Sequence, residues 1–234
     1  MSKPLELEAS PAERRRQKVR GAILEAAERV FSVEGEAGLS IRRLAEEIDY
    51  SPSAIYKYFG SKEELVDELK EAFFGRLMES VDHAFVASLS FEARVKRCFK
   101  IYIDTAVERP HHYLAAFSSA GAQAPGEDWC VFQKTNKGQA FGTVASLVRQ
   151  GQQAGHFDPA LDPFMAAKSL WASMHGFALL LIQIPGFPEM APEECRVMSQ
   201  DQFTEFHVDL MVRSLRADAN TSQQPPRKYE QTDV

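Results

Sequence analysis

This 234-residue chain has few of the features that mark catalysis or covalent stabilisation. Its three cysteines, Cys98, Cys130 and Cys195, are odd in number and widely scattered. They offer neither a disulfide framework nor metal-ligand spacing, and they read as reduced thiols of a cytoplasmic protein. No apolar segment follows the polar N-terminus, so a secretory signal is not expected. Phosphate loops, nucleophile elbows and paired catalytic carboxylates are missing too, which leaves no catalytic residue, metal or cofactor to assign. Positive charge is not in excess: 27 Lys and Arg against 33 Asp and Glu give a net charge of -6 and a pI near 5.6. A protein that coats nucleic acid by bulk electrostatics is thereby disfavoured, although a local basic surface could still read it specifically. The most apolar run, Ser169 to Ile184, is too short for a membrane span and contains His175 and Gln183. It reads as a buried or interface helix, so no membrane partner is expected.

What is present is helical periodicity, and 44% apolar residues supply ample core. The informative stretch runs from Leu39 to Leu65, LSIRRLAEEIDYSPSAIYKYFGSKEEL. Ser40 is an N-cap type of residue, and Ile41, Leu44, Ala45 and Ile48 follow on one helical face. Asp49-Tyr50-Ser51 forms a turn, Ser51 can cap the next helix, and Pro52 suits its first position. That helix is predicted to be barely two turns long, with Ile55 and Phe59 inward. Ser53, Ala54, Tyr56, Lys57 and Tyr58 are left on the outer face. A short helix of this kind can enter the DNA major groove. Gly60 ends it, and Ser61-Lys62-Glu63-Glu64 reads as a capping box opening a longer helix. Lys62 in that first turn suits a phosphate.

The runs Ser40-Ile41-Arg42-Arg43-Leu44-Ala45 and Ile55 through Leu65 closely resemble the TetR family of bacterial regulators, over about fifty residues. The resemblance implies an all-α homodimer, with an N-terminal three-helix helix-turn-helix domain followed by a larger helical ligand-binding and dimerisation domain. It further implies DNA contacts from Ser40 and Arg42 and from Ser53, Ala54, Tyr56, Lys57 and Tyr58 on the recognition helix. Lys62 would hold a phosphate. Two positions depart from the family pattern. Asp49 stands where a turn glycine is usual, a substitution that Asp tolerates in the left-handed region. Tyr58 replaces a common His.

The first helix is predicted to start at the capping box Ser10-Pro11-Ala12-Glu13 and to bury Ile23, Ala26, Ala27, Val30 and Phe31. Arg14, Arg15, Arg16, Lys18 and Arg20 near its start could lie along phosphates. The helix after Lys62 carries Leu65, Leu69, Ala72, Phe73 and Leu77, longer than a small domain needs, and reads as the connector. In the family it transmits effector binding. A helix from Ser90 points Phe91, Val95, Cys98, Phe99, Tyr102 and Ala106 inward and breaks at Arg109-Pro110. The adjacent His111 and His112 diverge by about 100° on a helix and lack Cys or carboxylate company, so a metal site is not assigned. A long helix is expected from about Glu127 to Gln153, interrupted by Gly138, Gly142 and Gly151. Asp162-Pro163 starts the most apolar helix, where Trp171, His175 and Gly176 resemble the WHG-type C-terminal domain of a subset of the family. Pro192 is expected to initiate the last helix, whose stripe is Phe203, Phe206, Leu210 and Met211 or Leu215.

The expected organisation is a flexible N-terminus at 1–9, the helix-turn-helix domain at 10–62, the effector and dimerisation domain at 63–217, and a disordered tail at 218–234. Two apolar terminal helices with nothing beyond to cover them suggest a four-helix bundle between two copies. Helical faces nominate Phe99, Tyr102, Phe117, Phe132, Trp171, Met174 and His175 for an unidentified small-molecule effector. The leading function is therefore a ligand-responsive transcriptional regulator, a repressor by family habit, that binds a palindromic double-stranded operator as a homodimer. A small-molecule enzyme with an accessory helix-turn-helix is the alternative, and a non-specific architectural DNA protein ranks below both.

Overall fold

The computed structural model describes residues 10–84, 89–117, 132–190, 192 and 197–217. Expectations for 1–9, 218–234, Cys130, Cys195 and the segment from Ala120 to Trp129 lie outside these residues. Among the described residues every regular element is helical, as the sequence predicts. In chain order the elements are α1 (Pro11–Gly38), α2 (Ile41–Glu47), α3 (Pro52–Ile55), α4 (Lys62–Ala84), α5 (Phe91–Glu108), α6 (Pro110–Phe117), α7 (Asn136–Gln153), α8 (Pro163–Gln183), a 3₁₀ turn at Phe187–Glu189, and α9 (Gln200–Arg213). The chain forms two compact units, Met1–Phe73 with Arg109–Gln123 and Phe74–Glu108 with Ala124–Val234. The first therefore ends later than 62 and takes in α6, a segment far along the chain.

In the first unit, Ser10 caps α1 through the predicted capping box with Glu13, and the hydrogen bond holds the Glu13 carboxyl below its usual range. All five predicted apolar residues of α1 are buried, joined by Leu44, Ala45, Ile55, Phe59, Leu65 and Leu69 in one cluster. Each large side chain enclosed in this way contributes about 1.5–3 kcal/mol. α1 leaves helical geometry at Gly35, whose φ of 64° suits glycine. A Cβ there would also sit 3.0 Å from the His111 ring.

α6 docks on α1 through a pairing that local sequence patterns do not reveal. The His112 side chain is wholly buried, with Nε2 2.9 Å from a Glu28 carboxylate oxygen. Its ring lies 4.8 Å from that of Phe31. Arg109 donates to the other Glu28 oxygen at 2.6 Å. Ala115 adds to the α1 cluster, and Tyr113 is buried against Phe73. His112 is thus used in packing and a hydrogen bond.

In the second unit, α5 buries Val95, Cys98, Phe99, Tyr102, Ile103 and Ala106, whereas Phe91 is only half-buried. Burial pushes the Cys98 thiol up to about 12, so it behaves as an apolar group. Ion pairs tie α5 to α9: Lys96 meets Asp209 at 2.8 Å and Lys100 meets Asp201 at 3.0 Å. α7 starts later than predicted, with Thr135 as N-cap and Phe132 in the turn before it. Gly138 and Gly151 do not break this helix. They admit the Phe132 carbonyl and the Phe157 ring, which lie 1.9 Å and 2.0 Å from where a Cβ would stand. α9 likewise starts at Gln200 rather than near Pro192, because Ser199 and Gln202 form a capping box.

Candidate functional site

The helix-turn-helix is assembled from caps. Ser40 caps α2 by accepting from the Arg43 N–H at 3.2 Å, and Asp49 takes a φ of 56° in the turn. Ser51 caps α3 by accepting from the Ala54 N–H at 3.2 Å. α3 itself is a single turn shorter than predicted. After Ile55 the chain tightens, with Lys57 and Tyr58 N–H groups bonding three residues back, before Phe59 returns to the Ile55 carbonyl at 3.1 Å. Ile55 and Phe59 are both completely buried, which turns the remaining side chains outward.

Of the predicted DNA-reading residues, Ser40, Arg42, Ser53, Tyr56 and Lys57 are exposed. Tyr56 is 53% exposed, a large value for an aromatic side chain with no apolar cover. Ala54 is half-buried. Tyr58 is half-buried as well and packs on the α1 cluster, so part of its ring serves the core. Arg42 pairs with Glu46 one turn on at 2.9 Å, an exposed and replaceable contact. Arg43 is differently placed. Its guanidinium makes two hydrogen bonds to Glu34 at 2.7 and 2.8 Å, which also hold the Glu34 carboxyl below its usual range.

At the start of α4, Ser61 accepts from the Glu64 N–H at 3.2 Å, while the Glu64 carboxylate accepts from Gly60 N–H at 2.6 Å. The expected box is therefore offset by one residue, and it closes the C-terminal end of the α3 segment as well. Lys62 donates to the Glu36 carbonyl at 3.0 Å, which holds its ammonium beside the α1–α2 junction. Tyr50, exposed in the turn before α3, was not among the nominated contacts.

The second unit contains a small apolar cavity of about 30 Å³ lined from α4, α5, α7 and α8. Phe99, Tyr102, Trp171 and Met174 line it, four of the seven residues nominated for the effector. The Trp171 indole N–H donates to the Tyr102 hydroxyl at 2.9 Å, and the Phe141 ring lies 5.1 Å from the indole. The other three nominated residues are not in the lining. Phe117 belongs to the first unit, 5.0 Å from the Tyr113 ring; Phe132 precedes α7. His175 is half-buried on α8, and burial with the Lys137 charge lowers its pKa. Leu77, Met78 and Val81 of α4 and Phe141 and Val144 of α7 complete the wall. Their apolar helical faces were legible, but which helices pair was not.

α8 with its C-cap, and α9, each expose apolar residues. Leu180, Ile184, Phe206 and Leu210 are each 38–48% exposed. Gly176 precedes Leu180 by one turn, and a Cβ on it would meet nothing within 4 Å. α8 is a helix long and apolar enough to cross a membrane by length and composition.

Comparison with known proteins places these features. The profile of bacterial regulatory proteins of the tetR family matches residues 23–69, and that of the tetracyclin repressor-like C-terminal domain matches residues 95–222. The chain is 25% identical over 147 residues to the HTH-type transcriptional repressor KstR2 of Mycobacterium tuberculosis, covering 61% of this chain and 71% of that protein. A solved protein of unknown function from Rhodococcus sp. RHA1 superposes with a TM-score of 0.67 at 24% identity, covering 92% of this chain and 100% of that one. The structure of KstR2, titled a ketosteroid transcriptional regulator, superposes with a TM-score of 0.56 at 18% identity, covering 86% of this chain and 96% of that one.

Proposed function

Because the chain belongs to the tetR family and is a DNA-binding transcriptional regulator, we propose that it works as a cytoplasmic homodimeric repressor, released from a palindromic operator by a small apolar effector. The observation that carries this reading is the division of labour in the α3 segment. Ile55 and Phe59 are spent entirely on the core, while Tyr56, Lys57 and Ser53 are presented outward from a backbone fixed by three serine caps. Rigid presentation of this kind supports base-edge reading in the major groove. Lys62 and the exposed arginines of early α1 would supply sequence-independent phosphate contacts.

The dimer reading rests on the Gly176, Leu180 and Ile184 stripe of α8 and on Phe206 and Leu210 of α9. Exposed apolar stripes on adjacent helices suit a bundle formed with a second copy. Two readers related by a two-fold axis would then contact half-sites about 34 Å apart. No catalytic residue and no resident cofactor are assigned.

The apolar effector is proposed for the cavity around Trp171 and Tyr102. At about 30 Å³ it holds little more than a water. Effector binding must therefore open it, by moving Met174, Met78 or the Trp171–Tyr102 pair. α4 contributes Leu77, Met78 and Val81 to this wall and Lys62 at its other end, so displacement of α4 is the proposed route to the DNA-reading unit.

The test begins with DNA recovered from a genomic pull-down and trimmed to its shortest bound palindrome. The full-length protein should prefer that duplex over a scrambled one by at least about a thousandfold at physiological salt. Equal affinity for both would sink the proposal and favour non-specific binding.

A further inference from the structure

The second unit has another recess, a groove of about 720 Å³ lined from α4, α5 and α9. Its volume falls within the range of small-molecule sites. Helical geometry sets it apart from the apolar cavity: α5 turns Cys98, Phe99 and Tyr102 to the cavity and Arg97, Ile101 and Asp104 to the groove. On α9, Glu205 and Asp209 face the groove, whereas the exposed Phe206 and Leu210 occupy another flank.

The groove carries charge of both signs. α4 and α5 bring Ser80, His83, Lys96, Arg97, Lys100 and Asp104, and α9 brings Glu205 and Asp209, beside apolar Ala93, Ile101 and Val208. Part of this charge is already consumed. Lys96 is held by Glu92 and Asp209, and Lys100 by Asp104 and Asp201. Arg97 and Glu205 make no ion pair or hydrogen bond with other described residues. One cation from α5 and one anion from α9 therefore line the groove without a partner among the described residues.

We propose that the groove binds a small zwitterion, an amino acid or dipeptide with a short apolar body. Its carboxylate sits on Arg97 and its ammonium on Glu205. A guanidinium takes a carboxylate through two parallel hydrogen bonds, and a carboxylate takes an ammonium. A ligand with a single charge leaves either Arg97 or Glu205 without a counter-charge, which selects against it. Because each exposed ion pair alone binds weakly, both ends and the apolar residues are needed. The site is independent of the apolar effector cavity.

The experiment is calorimetric titration of the full-length dimer with the dipeptide alanyl-leucine, alongside its N-acetylated and C-amidated forms. The free dipeptide should bind with a Kd of about 1 mM or tighter and raise the unfolding midpoint, and each blocked form should lose at least about tenfold in affinity. Arg97→Gln and Glu205→Gln, both at exposed positions, should each weaken the free dipeptide to a similar degree while keeping a native circular-dichroism spectrum. Gly142→Ala, on α7 outside the groove lining, should leave the titration unchanged. Absence of binding, equal binding of the blocked forms, or indifference to the Arg97 and Glu205 substitutions would each overturn the proposal.

Discussion

Tyr56 and Lys62 lie close in sequence, and in the proposed function they would meet DNA with different chemistry, so their losses should differ in kind. Tyr56→Ala removes an exposed ring whose backbone is held by the Ser51 cap. It should cost about 1–3 kcal/mol on the operator, far less on scrambled duplex, and leave the unfolding midpoint nearly unchanged. Lys62→Ala should instead weaken binding to all duplexes alike and reduce the salt slope by about one. Fluorescence anisotropy across a salt series separates the two, and a reversal would overturn both roles. The glycines of α7 give a second contrast. Gly142→Ala meets open space and should stabilise the protein by about 0.5–1 kcal/mol. Gly138→Ala drives a methyl into the Phe132 carbonyl and should destabilise it by more than that, as thermal unfolding would show. From the sequence all three α7 glycines looked alike as interruptions. The groups that crowd two of them come from the turn on either side of the helix, which a helical pattern does not contain.

Among the elements, the ones bounded by local chemistry were the legible ones. Ser10, Ser40 and Ser51 cap α1, α2 and α3 as predicted, because a cap needs only residues within three positions. The start of α9 was missed because Pro192 competed with the Ser199–Gln202 box, which holds the helix start. Of the seven residues nominated for the effector, four converge on the cavity because each lies on an inward face, while Phe117 lies in the first unit with α6. The α8–α9 pair carries a pH dependence. His207 stacks on Phe177 at 4.1 Å, and burial lowers its pKa from 6.5; burial and Lys137 do the same to His175. The unfolded chain therefore binds protons near pH 6.5 that the native state refuses, so stability is complete above that value and falls as pH drops through the lowered pKa values. The unfolding midpoint should decline between about pH 7 and pH 5, and a His175→Gln, His207→Gln double variant should flatten the decline. An unchanged slope in that variant would assign the dependence elsewhere.

At the scale of the whole molecule, DNA reading by one short helix is too little for an operator, so assembly decides function. Leu180→Glu with Leu210→Glu places charge on the exposed stripes of α8 and α9 without touching the buried core. Multi-angle light scattering should then report a monomer, and operator affinity should fall by at least about a hundredfold with a native helical spectrum retained. A variant that stays dimeric would place the interface on another face. The all-helical class and both halves of the chain were readable in advance, since periodicity and the Leu39–Leu65 motif are contained in short windows. The membership of α6 in the first unit was not, because Glu28 and His112 meet across 84 residues of sequence. That pairing has a practical consequence for anyone who wishes to excise the reader. A fragment cut after α4 would carry Glu28 without Arg109 and His112 and Phe31 without its imidazole lid, and it should melt well below a fragment continued through Phe117. The smallest self-sufficient reader should therefore extend past α5 to the end of α6, because its core closes only where the chain returns to α1.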